Sequence, residues 1–390
     1  MKDVFIVSAV RTPVGKRNGY LREWMAPNLL AKIIDEVIGR IDLDPNLVED
    51  IINGTVYQIG EQGFTLGRVA ALLSRLPETV PGISLNRQCG SSLSAIQMAY
   101  AMIVSGIHDV LIASGCEMMT KYFITSDMNG TLANGKPMGH PFGREFLKKH
   151  GMPDQMSGAQ MIADKWGITK SQCDEFAISS HEKALNATEK GYFKTEILPV
   201  DGLDKEGNRI LRDTDETMRA GLSMEQMATL EPLPNTKWIT AGLSSTITDG
   251  ASAVVLMSEE KVRELNITPL ARIVDNTVVG TEPIMMLTGP IPATRKVLKK
   301  SGMKMNDIDI FEVNEAFAPI PLAWAKELDA DMDKLNVNGG AMALGHPVGN
   351  SGCRLTVTAL YELIRREKRN ALVTLCTGGG MAPATIFERA

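Results

Sequence analysis

The sequence predicts an α/β protein built from two related halves, and three observations carry that expectation. Short β-branched runs alternate with longer helical patterns, which implies sheets covered by helices. A chain of 390 residues is too long for one hydrophobic core, so two or three packed units are expected. The halves also match. Near the end of the first, Cys89-Gly-Ser-Ser opens a helical run that leads to a strand ending in Cys116. Near the end of the second, His346-Pro-Val-Gly-Asn-Ser-Gly opens another that leads to a strand followed by Cys376. A candidate reactive group therefore opens a helix in each half. A repeat this long fits duplicated domains and not a solenoid.

In order along the chain, Val4–Val10, Asp50–Tyr57 and Asp109–Ala113 read as strands, with Leu29–Arg40 and Ser92–Ser105 as helices. Thr120 to Thr240 differs in character, with many methionines and polar turns. It holds a helical run, Cys173–Lys190, and a turn-rich stretch, Val200–Arg212, and reads as an insertion covering a site. Ala253–Met257 returns to a buried-strand pattern. In the second half Asp307–Val313 and Ala371–Leu375 read as strands, with the helix Gly352–Glu367 between them. The expected units are 1–119 plus 241–268, the insertion 120–240, and 269–390.

Composition narrows the function. Hydrophobic residues are 44% and charged residues 22%, as in an ordinary soluble protein. A net charge of −5 offers no general basic face, so nucleic acid is not an expected partner. Arg144, Lys148, Lys149 and His150 form one local basic cluster, of the kind that is commonly a solvated helix face. The five cysteines are widely spaced with no C-x-x-C pair, which argues against a disulfide framework and zinc and for a reducing compartment. No signal-peptide pattern and no membrane-length apolar stretch is read, so a cytoplasmic protein without membrane insertion is expected.

Four residues carry candidate chemistry. Cys89, in NRQCGSS, stands between a strand-like Gly82–Leu85 and a helix start, where the helix dipole favours thiolate. Cys376 precedes Thr-Gly378-Gly-Gly, whose backbone N–H groups can face a developing oxyanion. Asn314 ends a strand and begins NEAFA. His346 lies in the glycine-rich run NGGAMALGHPVGNSG, where backbone approaches something closely.

Together, Cys89 in NRQCGSS, Asn314 in NEAFA, His346 in GGAMALGHPVGNSG and Cys376 in CTGGGM resemble the thiolase family in order and spacing. The resemblance runs from about residue 3 to residue 388. It implies two duplicated βαβαβαββ domains in a five-layer αβαβα arrangement with an inserted loop domain. It also implies acyl transfer between a cysteine and coenzyme A, joined to cleavage or formation of a C–C bond beside a thioester. Cys89 is then the nucleophile, His346 its base and Cys376 the acid or base for the acetyl-CoA enolate. Asn314 with a bound water joins His346 at one oxyanion, and the N–H groups of Cys89 and Gly378 hold the other.

By the same resemblance Arg219 meets the nucleotide end of CoA and Ser245 the pantetheine arm. Acetyl-CoA and CoA are substrates, no cofactor is held permanently, and a homodimer or homotetramer is implied. Three stretches depart from the family: Leu243-Ser-Ser-Thr246, Asp154-Gln-Met-Ser-Gly-Ala-Gln160 and Met381-Ala-Pro-Ala384. The first two point away from short-chain biosynthetic members and toward degradative 3-ketoacyl-CoA thiolases that take longer or bulkier acyl groups. Met285 and Met286, and Met128, Met138, Met152, Met156 and Met161 of the insertion, are then candidates for an acyl pocket or for core filling. Two alternatives are an acetoacetyl-CoA thiolase and a silent, thiolase-like carrier. A ketoacyl synthase would replace Asn314 by histidine and lack Cys376.

Overall fold

A computed structural model describes residues 3–390. Its strands are β1 (Val4–Arg11), β2 (Gly15–Lys16), β3 (Asp50–Gly54), β4 (Ile83–Leu85), β5 (Val110–Met118), β6 (Val200–Leu203), β7 (Arg209–Arg212), β8 (Thr248–Ser258), β9 (Ala271–Gly280), β10 (Ile310–Val313), β11 (Asn370–Thr374) and β12 (Met381–Arg389). All but β6 and β7 join one ten-stranded sheet, in which β2 pairs only with β8 and the rest run β10-β11-β12-β9-β1-β8-β5-β3-β4.

The two halves of that sheet follow the same rules. In the first, β4, β3 and β5 are parallel, and β8 and β1 follow antiparallel. In the second, Leu335 bridges β10 in parallel, β10 and β11 are parallel, and β12 and β9 follow antiparallel. The halves meet where β1 pairs with β9 over Phe5↔Arg272 and Ile6↔Ala271. This strand-for-strand match is the duplication that the sequence predicts.

Side-chain alternation along the strands builds five layers. Val110 and Ile112 of β5 face an outer layer with Leu29, Ile33 and Ala70, from helices Ala26–Gly39 and Leu66–Leu73. Leu111 and Ala113 face a central layer made by helices Ser91–Val104 and Ser351–Arg365. Ile310 and Val373 of the second half face the same central layer. Phe311 and Leu372 face the third helical layer, with helices Pro290–Ser301 and Pro319–Leu328. The central helices are enclosed by both half-sheets, so helix Ser351–Arg365 is buried on nearly every side. At its start, a Cβ on Gly352 would lie 2.4 Å from the Leu93 amide nitrogen, so the two central helices meet closely at their N-termini.

Several boundaries differ from the sequence reading, for visible reasons. The Asp50–Tyr57 run leaves the sheet at Gly54, because the amides of Val56 and Tyr57 turn to the buried Glu117 carboxylate. The Asp109–Ala113 run extends to Met118, since β8 pairs with it throughout. Asp307 belongs to a short 3-10 turn, and the strand begins at Ile310. The turn-rich Val200–Arg212 forms the β6–β7 hairpin. The long strands β9 and β12 were not read as elements at all. Pro383 disguises β12: it lies just beyond the last pair with β11, Thr374↔Ala384, where a missing N–H costs no ladder bond. The insertion's methionines fill neither a core nor a tunnel as a set. Met138, Met152 and Met161 are exposed and Met128 is half-buried, whereas Met156 packs against the second half's core and Met227 is buried in it.

Candidate active site

The candidate residues gather at the carboxyl ends of the parallel strands of both halves, where open α/β sheets bind ligands. Cys89 follows β4, Asn314 follows β10 and Cys376 follows β11. Cys89 sits behind Gln88, whose left-handed backbone (φ 48°) makes the sharp bend from strand to helix. Its side chain belongs to an apolar cluster with Val56, Tyr57, Met119 and Val348, edged by Ile59, Tyr122 and Ile247.

Burial changes the expected electrostatics of Cys89. The helix proper starts at Ser91 with Gly90 as its cap, so the thiol stands just outside the first turn. Burial pushes the thiol up to about 11, against the N–H groups of Gly378 and Cys89, which pull it down. Burial thus outweighs the pull toward thiolate that the helix start exerts, which suits a thiol whose proton His346 takes. Cys376 is fully buried, and burial together with the neighbouring Cys89 pushes its thiol well up. The two thiols are thus electrostatic neighbours.

His346 is 5% exposed, and both ring nitrogens have partners. Nδ1 lies 2.6 Å from Ser351 Oγ, and Nε2 lies 3.3 Å from Asn314 Nδ2. Ser351 spends its one hydroxyl proton on the Pro347 carbonyl at 2.9 Å, so its oxygen accepts from Nδ1–H. This fixes the tautomer and leaves the Nε2 lone pair as the base. Burial, then the Arg354 charge, push His346 down to about 3, so it is neutral at physiological pH. Asn314 is placed by its amide, which donates to Thr374 O at 3.1 Å beside Cys376. Its buried Oδ1 has no protein partner and is free for a water or a substrate.

The halves are held together at this point by groups that the sequence reading passed over. Glu117, fully buried at the end of β5, accepts from the amides of Val56 (2.8 Å), Tyr57 (3.3 Å) and Gly349 (3.0 Å) and from Gln62 Nε2 (2.6 Å). It thereby pins the loop after His346 to the Cys89 side. Burial raises its carboxyl to about 7. A charged residue closing an apolar strand run was the available signal. Ser351 was visible inside the histidine motif, but its bond to Nδ1 was not.

Ser245 lies beside NEAFA: its amide donates to Ala316 O at 3.0 Å, and the Thr246 carbonyl accepts from the His346 amide at 3.3 Å. Arg219 is not part of this cluster. Its side chain is exposed, and its amide donates to Nδ1 of the buried His181 at 3.1 Å. The segment before it is nonetheless tied to the site. Arg11, fully buried, grips Asp215 at 2.7 and 3.0 Å and Glu196 at 2.6 Å, and Thr217 donates to Ala343 O at 2.5 Å, three residues before His346. The basic cluster Arg144, Lys148, Lys149 and His150 forms the surface helix Arg144–His150. Met286 is buried in the second half's outer core, and Met285 is half-buried beside it. Among the described residues no group of side chains is placed to hold a metal ion, and no helix is long and apolar enough to cross a membrane.

Comparison with known proteins agrees over the whole chain. Residues 4–260 match the thiolase N-terminal domain and residues 267–389 the thiolase C-terminal domain. The steroid 3-ketoacyl-CoA thiolase FadA6 of Mycobacterium tuberculosis is 41% identical, over 100% of this chain and 95% of its own length. A 3-ketoacyl-CoA thiolase of Marinomonas is also 41% identical, over 99% and 98%. The crystal structure of the Bacillus anthracis acetyl-CoA acetyltransferase superposes with a TM-score of 0.91 at 35% identity, covering 100% of this chain and 99% of that one. Human mitochondrial 3-ketoacyl-CoA thiolase superposes with a TM-score of 0.91 at 34% identity, with the same coverage. With two family domains spanning nearly every residue and a matching fold, the chain belongs to the thiolase family of acyltransferases.

Proposed function

We propose that the protein cleaves 3-ketoacyl-CoA with CoA, giving acetyl-CoA and a shortened acyl-CoA, or runs the reverse condensation. The carrying observation is the setting of His346: a buried imidazole with Nδ1 2.6 Å from Ser351 Oγ and Nε2 3.3 Å from Asn314 Nδ2. In the cleavage direction, Cys89 Sγ attacks the 3-keto carbon while its proton passes to His346 Nε2. The C–C bond breaks to leave acyl-Cys89 and the enolate of acetyl-CoA, which Cys376 protonates. The thiol of a second CoA then attacks the thioester and leaves as acyl-CoA; its proton restores Cys376, and His346 returns its proton to Cys89. The N–H groups of Cys89 and Gly378 face the tetrahedral oxyanion; His346 and an Asn314-bound water face the enolate oxygen. Ser245 beside NEAFA meets the pantetheine arm and Arg219 the nucleotide end.

The preferred acyl group is longer or bulkier than acetoacetyl. The departures at Leu243–Thr246 and Asp154–Gln160 support this, as does the likeness to a steroid thiolase. A panel of acetoacetyl, medium-chain, branched and ring-bearing 3-ketoacyl-CoAs is expected to give its highest kcat/KM with one of the larger substrates. A preference for acetoacetyl-CoA by more than about tenfold, or about 1.4 kcal/mol, would restore the short-chain reading.

The working unit is at least a dimer, with the tetramer as its possible doubling, and acts in a reducing compartment such as the cytoplasm, as its unpaired cysteines suggest. Strand β4 is a free sheet edge with Ile83 38% exposed, and the nearby Phe64 is 93% exposed on a left-handed backbone (φ 48°). Unpaired edges and large exposed apolar side chains are features that a partner covers. Phe64→Asp should shift the sedimenting species toward monomer; an unchanged dimer would place the interface elsewhere. The division into 1–119 plus 241–268, 120–240 and 269–390 is proposed with this reading, since β8 returns the chain to the first half-sheet after the insertion.

A further inference from the structure

One buried pair is left over by the chemistry above. Arg354 and Glu312 are both fully buried, and neither the three guanidinium nitrogens nor the two carboxylate oxygens have a protein hydrogen-bond partner. The contrast with Arg11 is sharp, since Asp215, Glu196 and the Thr12 carbonyl satisfy that guanidinium. Burial raises the Glu312 carboxyl and Arg354 draws it back, and burial lowers Arg354 while Glu312 raises it. Each is the strongest charge acting on the other, and no direct hydrogen bond joins them. Five buried polar atoms without protein partners are groups that ordered water commonly satisfies.

Their places in the fold give the pair a consequence. Glu312 lies on β10 two residues after Ile310, and residues two apart share a strand face; Asn314 follows the end of the strand. Ile310 of that face points into the central layer, toward helix Ser351–Arg365. Arg354 is three residues after Ser351 on that helix, so those two share a helix face. The strand supplies Glu312 and the residue just after it, Asn314, and the helix supplies Ser351 and Arg354. Asn314 and Ser351 are the two groups that hold the His346 ring. Glu312 and Arg354 span the same two elements one layer deeper.

We propose that Glu312 and Arg354 form a water-bridged buried rung that sets the spacing between β10 and helix Ser351–Arg365, and so positions His346 between Asn314 and Ser351. Both are positioning residues and touch no substrate. A rung this deep has little freedom to relax, because the interior around it is packed. Displacing a reacting group by about 1 Å typically costs about 10²-fold in rate. The inference rests on the thiolase reading, and acetylation of Cys89 by acetyl-CoA in the unaltered protein tests that reading separately.

The test uses the full chain and two readouts, the rate at which acetyl-CoA acetylates Cys89 and the final number of acetylated sites. The endpoint counts folded sites; the rate reads the position of His346. Glu312→Leu removes the rung while keeping volume, and is expected to slow acetylation about tenfold to a hundredfold with the endpoint and the KM for acetyl-CoA unchanged. Glu312→Asp keeps the carboxyl, and water spans the lost methylene, so it is expected to stay within about threefold of the unaltered rate. Should Glu312→Leu not fold, Arg354→Met takes its place with the same expectation, since it removes the rung from its other end. A Leu or Met variant that acetylates at the unaltered rate would overturn the proposal. So would a rate loss matched by an equal loss of acetylatable sites, or an Asp variant as slow as the Leu variant.

Discussion

Cys89→Ala is expected to lower kcat/KM for thiolysis by on the order of 10⁴–10⁶-fold, because no other group in the site can carry the acyl chain. Cys376 is the only other thiol at these strand ends, and it cannot take over. It is 0% exposed, and both burial and the neighbouring Cys89 hold it as a thiol. Incubation with labelled acetyl-CoA followed by peptide mapping checks the claim. Label should appear on Cys89 of the unaltered protein and nowhere in Cys89→Ala. The control is Cys376→Ala, which should still acetylate Cys89 but fail to exchange the methyl protons of acetyl-CoA with solvent. Label on Cys376, or near-normal thiolysis by Cys89→Ala, would defeat the assignment of the two thiols.

The fold and the reactive residues were legible in the sequence for different reasons. Alternating patterns exposed β1, β5, β8 and the central helices, because a strand or helix enclosed on both faces reads as a continuous apolar run. Strand β12 was hidden because Pro383 breaks the pattern, and only the register with β11 shows that the break is harmless. Cys89, Asn314, His346 and Cys376 stood out because each sits in a local motif of small residues. What supports them did not. Glu117 works through four donors from four chain positions, three of them backbone amides, and no local pattern announces such a site. Arg219 shows the opposite case: a motif placed it near a ligand, but its exposed side chain has no built surroundings in the free chain. At Cys89 the pull toward thiolate was legible, and what outweighs it was not. The helix start is a local feature, whereas the burial that outweighs it comes from Val56, Tyr57, Met119 and Val348, which arrive from distant segments.

That charge state gives His346→Gln a distinctive expected signature. At pH 7 a thiol pushed up to about 11 is ionised in only about one molecule in 10⁴. A base that removes the proton as the C–S bond forms avoids that deficit. General-base assistance typically contributes about 10²–10⁴-fold, so the variant should acetylate Cys89 more slowly at pH 7 by about that factor. The pH dependence separates this mechanism from a preformed thiolate–imidazolium pair. With Cys89 near 11 and His346 near 3, both partners of the unaltered protein are neutral across the working range. Their acetylation rate should therefore be flat from about pH 5 to about pH 9. In His346→Gln only the thiolate reacts, and its fraction grows about tenfold per pH unit below the thiol pKa. The rate should climb with that slope and approach the unaltered enzyme in alkali. A preformed ion pair predicts limbs instead: an acid limb where the thiolate takes up a proton, and an alkaline limb where the imidazolium loses its own. Glutamine preserves a hydrogen-bonding amide between Asn314 and Ser351, so the cavity stays filled while the titratable lone pair is lost. A flat profile in the variant would show that His346 does not take the Cys89 proton.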